Sequence, residues 1–168
     1  MWEEILKVFQ NTPSRLKVVE LMLEYGFSIG TDGIYAGPVM LSITKVAKAA
    51  KVDRKVVEET IRSIRKNEEL MRVFGFLKPV ADISDVARMN KDRFEGVMEI
   101  EAFSSSVGIA AKATKLLADE DLVIRFILAK DPELSVKSTM TIVTDRKIPA
   151  RILELLLRNK DIISVKLS

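Results

Sequence analysis

Apolar positions recur at helical spacing through most of the first 92 residues and mainly at alternating spacing after residue 96, so the chain reads as two domains of different type. Leu16, Val19, Leu21, Met22 and Leu23 predict a helix over about 14–25, capped by Ser14 and ended by Gly26. Asp32-Gly33 between two short β-prone runs then predicts a small hairpin, which Gly37-Pro38 ends. Val46, Ala47 and Ala50 mark one amphipathic helix over 43–50, and Val57, Ile61 and Ile64 a second over 54–66 with Asp53 as its N-cap. Val52 fills the corner between them. Leu70, Val73, Phe74, Phe76 and Leu77 predict a further short helix broken by Pro79, and 84–89 a last turn or two, closing the core of the first domain.

Beyond Phe94-Glu95-Gly96 the expected order is strand 97–103, helix 108–118, strand 122–129, strand 136–144, helix 149–159 and strand 162–167. A βαββαβ chain of this length predicts a four-stranded antiparallel sheet with both helices on one face, a ferredoxin-like domain. The fold class expected is therefore α+β, with a mostly helical domain over 1–94 and a ferredoxin-like one over 95–168. Met98, Ile100, Ala102, Leu122, Ile124, Phe126, Leu128, Met140, Ile142, Ile163, Val165 and Leu167 are expected to face the helices. Glu99, Glu101, Arg125, Thr139, Thr141, Ser164 and Lys166 take the other face.

Composition narrows the chemistry. The 168 residues are 48% apolar and contain no cysteine and no histidine, which removes disulfides, thiolate and imidazole metal ligands, Cys nucleophiles and His-based triads. Neither a leader nor a membrane-spanning run is apparent, so a cytoplasmic protein without membrane association is expected. Glu99 and Glu101 lie two apart on one strand, where Lys166 and threonines are the expected cross-strand neighbours, so the pair reads as sheet pairing rather than as catalytic carboxylates. No catalytic residue, metal site or cofactor is expected.

Charge is distributed unevenly. The whole chain carries +3, yet 42–66 alone holds eight cations against Asp53, Glu58 and Glu59, a local +5. Arg54, Lys55, Arg62, Arg65 and Lys66 fall on the second helix, while Lys45, Lys48 and Lys51 are placed to reach phosphates. In the second domain, Ser104, Ser105, Ser106, Val107 and Gly108 form the first strand-to-helix corner. There, free N–H groups and hydroxyls can receive a carboxylate, or one serine can simply cap the helix.

Ala47, Val52, Val57 and Ile61 give 43–66 a resemblance to the helix-turn-helix family, although Lys51 stands where that family usually has glycine. The segment 97–168 resembles an ACT domain, a ligand-sensing module of amino-acid metabolism. Gly108 matches that family's corner, but Ser105-Ser106-Val107 replaces its usual Asp-Arg-Pro. The combination is similar to archaeal proteins described as predicted regulators of amino-acid metabolism. This resemblance implies a homodimeric transcription regulator that binds DNA and takes an amino acid as effector. The alternative is a ligand-free dimerisation or protein-interaction module without DNA binding.

Overall fold

The computed structural model describes residues 2–103, 105–130 and 138–168. Two compact units divide at Ala81/Asp82. Among the described residues there are eight helices and two antiparallel sheets, an α+β protein.

The first unit begins with α1 (Trp2–Phe9), whose Ile5 and Phe9 are fully buried one turn apart. α2 spans Pro13–Tyr25. Its N-cap is Thr12 rather than Ser14, because proline suits the first helical position, where its missing N–H deprives no carbonyl of a partner. Gly26 ends the helix at φ 64°, and any side chain there would collide with the Lys78 carbonyl.

β1 (Ser28–Ile29), β2 (Ile34–Ala36) and β3 (Val39–Leu41) form a three-stranded meander. The Asp32-Gly33 hairpin is present, with Ile29 opposite Ile34. Gly37-Pro38 does not end the sheet but turns the chain into β3, pairing Ala36 with Val39. α3 (Ile43–Ala50), α4 (Arg54–Arg65) and α5 (Glu68–Phe74) follow. α2, α3 and α4 pack on one another, burying Val18, Met22, Val46, Ala47, Val57, Ile61 and Ile64. Each large member of this set contributes about 1.5–3 kcal/mol of burial.

The second unit starts earlier than the expected boundary at 94/95. α6 (Ser84–Met89) packs against the large sheet, where Ala87, Val97 and Val143 form a small cluster with Phe94 and Phe126 at its edge. An apolar sheet face at Val97 and Val143 needs a cover, and α6 supplies it. The remainder is β4 (Gly96–Ala102), α7 (Ile109–Ala118), β5 (Ile124–Ala129), β6 (Ser138–Thr144), α8 (Ala150–Leu157) and β7 (Ile162–Leu167), with strand order β5-β6-β4-β7. Met98, Ile100, Ala113, Leu117, Met140, Ile142, Ile152 and Leu156 make the main core.

Three apolar positions depart from the expected faces. Arg125 is an extra residue between the pairs Ile124–Thr144 and Phe126–Val143, so Phe126, opposite Val143, and Leu128, opposite Thr141, turn to the α6 side of the sheet. Ile163 is likewise skipped between Ser164 opposite Glu101 and Ile162 opposite Ala102, which buries Ile162 and exposes Ile163. Glu99 does lie opposite Lys166 and Thr141, as the strand order requires, but its carboxylate pairs with Arg88 of α6 at 2.9 Å.

Candidate functional site

Two local arrangements carry chemistry. In the first unit, α3 ends with Lys51 in a left-handed conformation at φ 55° and ψ 48°. The Val52 N–H donates to the Ala47 carbonyl at 3.0 Å and the Lys51 N–H to that of Lys48 at 3.2 Å, so the orphan carbonyls of α3 are satisfied within the turn. The chain then enters α4 after Asp53, which occupies the N-cap position without a side-chain capping bond. The expected glycine is thus replaced by a lysine that accepts its conformation and keeps its side chain in solvent.

All eight expected cations, Lys45, Lys48, Lys51, Arg54, Lys55, Arg62, Arg65 and Lys66, are exposed. They are not equivalent. Arg54 Nε donates to Glu58 Oε1 at 2.8 Å, and an Arg65 terminal nitrogen donates to the Gly30 carbonyl at 2.7 Å, tying α4 to the first hairpin. Among the described residues the other six form no ion pair. Lys55, Arg62 and Lys66 recur at positions i, i+7 and i+11 on the outward side of α4, opposite Val57 and Ile64.

The acids of α4 are held from both flanks. Glu58 is paired with Arg54, and Glu59 receives Arg15 of α2 at 2.6 Å. That hydrogen bond, seconded by the charges of Arg15, Lys55 and Arg62, holds the Glu59 carboxyl below the usual glutamate range. Arg15 escaped sequence reasoning because it lies 44 residues from its partner. Only the packing of α2 on α4 brings them together.

In the second unit, β4 gives way to the corner at Phe103, whose N–H donates to the Asp161 carbonyl. Gly108, at φ 81°, is the N-cap of α7, and a Cβ built there would meet nothing within 4 Å. No side chain caps α7. The Ser106 Oγ is buried yet has no hydrogen-bond partner among the described residues.

Ser106 and Gly108 line a cleft of about 410 Å³ together with Ile100, Ala110, Lys130 and Met140. One unpartnered hydroxyl therefore faces a mainly apolar wall. Ser105 and Val107 are exposed and do not line it, and Ser104 lies outside the described residues. Lys130 borders the cleft at the end of β5, but it lies opposite Thr139 and its charge acts on Asp82.

A second cleft, about 500 Å³, runs in the first unit between the Gly37-Pro38 turn and residues 75–79, with no convergent polar set in its lining. No group of metal-ligating side chains occurs among the described residues, and no helix there is long and apolar enough to cross a membrane. No protein-family model matches the chain, and no curated protein matches it.

Proposed function

We propose that the protein is a cytoplasmic, non-enzymatic transcription regulator. In this reading α3 and α4 form a helix-turn-helix that enters the major groove, and the second unit is a ferredoxin-like ACT-type domain that senses a small carboxylate, an amino acid being the first choice. The observation that carries it is the state of α4: its acids are paired with Arg54 and Arg15, while Lys55, Arg62 and Lys66 remain open on its outward side. Phosphate repulsion by Glu58 and Glu59 is thereby largely cancelled within the protein. Lys45, Lys48 and Lys51 extend the basic surface across α3 to the turn.

The strand order β5-β6-β4-β7 supports the ferredoxin-like assignment, and the cleft beside Ser106 and Gly108 supports a ligand. A carboxylate there would meet the free N–H groups of the first turn of α7 and the Ser106 hydroxyl. Ile100 and Met140 would receive an apolar tail. A homodimer follows from the same reading, since helix-turn-helix proteins commonly bind two half-sites with matching two-fold symmetry.

Two measurements test the proposal separately. Duplex DNA should bind the full chain at low salt and be released steeply as salt rises; absence of binding at low salt would leave a protein-interaction module as the better reading. In thermal-shift measurements with each of the twenty amino acids, an effector at 100 times its dissociation constant should add about 2.7 kcal/mol of stability. No shift with any of them would remove amino-acid sensing.

A further inference from the structure

We infer that Arg54, oriented by Glu58, reads a guanine in the major groove and sets the sequence preference of this protein. The inference rests on the DNA-binding reading of α4. Arg54 is the first residue of that helix, where an inserted recognition helix meets base edges, and its side chain is 66% exposed.

Three arginines lie on α4, and their surroundings separate their roles. Arg65 is committed to the Gly30 carbonyl, which makes it a structural tie between helix and hairpin. Arg62 has no partner among the described residues to fix its plane and suits a phosphate. Arg54 is different: its Nε donates to Glu58 Oε1 at 2.8 Å, and its two terminal nitrogens have no protein acceptor among the described residues. A guanidinium bound through Nε has lost much of its rotational freedom, and its remaining donors point away from the carboxylate as a planar fork.

That fork matches the two acceptors, O6 and N7, that guanine alone presents side by side in the major groove. Lys55 beside it is a rotatable point charge without the rigid planar fork. As an exposed surface pair, Arg54–Glu58 contributes little to the helix. Its use here is to hold the fork ready before DNA arrives.

The experiment uses the full chain and a pool of randomised duplexes. Selected duplexes should share a guanine, and replacing it with 7-deazaguanine should weaken binding by about 5- to 140-fold. In Arg54→Ala the same replacement should have no effect and in Arg54→Lys a smaller one, while binding to unselected duplex persists. Glu58→Gln should reduce the 7-deazaguanine penalty without weakening unselected binding, an effect that a purely structural pair would not produce. A penalty that survives undiminished in Arg54→Ala, or selection without a shared guanine, would overturn the inference while leaving DNA binding intact. An undiminished penalty in Glu58→Gln would overturn the orienting role of Glu58, and failure to bind any duplex would remove the DNA reading itself.

Discussion

Two corners in this protein use the same backbone device to opposite ends. Lys51 between α3 and α4 and Gly108 before α7 both adopt positive φ, at 55° and 81°. The Lys51 turn is closed: its N–H and that of Val52 return to carbonyls of α3, and Ala47 is buried behind it. The Gly108 corner is open, with nothing near a built Cβ, a buried hydroxyl without a partner among the described residues and a cleft in front. A left-handed residue therefore says nothing about ligands by itself. What distinguishes the two is whether the polar groups around it are already satisfied.

The comparison can be pressed hardest on DNA. Replacing Lys55, Arg62 and Lys66 together with alanine should reduce the logarithmic salt dependence of duplex binding by about 3, one unit for each phosphate that is no longer neutralised. The Gly108→Ala protein should keep the wild-type slope. Binding isotherms over a salt series check both, and an unchanged slope in the triple variant would deny the closed corner its proposed surface.

Stability separates the corners next. Ala47→Leu should cost about 1–3 kcal/mol in denaturant unfolding, because the α3–α4 crossing has no room. Gly108→Ala meets no atom, so only its φ penalty of about 1–2 kcal/mol remains, offset in part by reduced freedom of the unfolded chain. Lys51→Gly should work in the other direction and raise stability by up to about 1 kcal/mol by relieving the left-handed lysine, while slightly weakening DNA binding. A smaller effect is expected at Ser106→Ala: within about 0.5 kcal/mol, since no protein hydrogen bond is removed, but with loss of any effector response.

The gentlest test is of pH. Glu59 has a folded-state pKa below its ordinary 4.5, so its contribution to stability is fully present above the unfolded value and is lost as pH falls through the folded one. The link to Arg15 should hold at neutral pH and open only in acid. Carboxyl NMR titration should find Glu59 ionising below the unpaired glutamates and returning to their range in Arg15→Ala.

Most elements were legible because their apolar spacing is regular. The α3–α4 pair, the Asp32-Gly33 hairpin and the βαββαβ order all follow from periodicity and turn residues. Beyond β3 and the skip at Ile163, three features were not. α1 was overlooked although Ile5 and Phe9 sit one turn apart, because a short terminal segment gives few repeats of its period. α6 has only Val86 and Met89 as large apolar residues, both exposed, and is held through Ala87, so its attachment to the second sheet is invisible without Val97 and Val143 in place. The reversal at Phe126 depends on one unpaired residue, Arg125, which is held by the Arg93 carbonyl at 2.8 Å and by the ring of Phe94. Alternation assumes an unbroken register and fails there by one position. Of the sites, the basic residues were readable as composition, but their division into paired and open required Arg15 and Gly30 in space. At the corner, the serines suggested a cap, and only the folded chain gives that capping position to Gly108.

The two skipped residues also bear on the open edges of the large sheet. β5 and β7 are the outer strands of the large sheet, and each carries its irregularity, at Arg125 and at Ile163, while the inner β4–β6 ladder runs without interruption from Gly96 to Ala102. An uninterrupted rim with unsatisfied amides would template the addition of further chains, as in amyloid; a kinked rim offers no straight register to copy. The flattest, most templating surface of the sheet is thus confined to its middle, where both sides are already occupied.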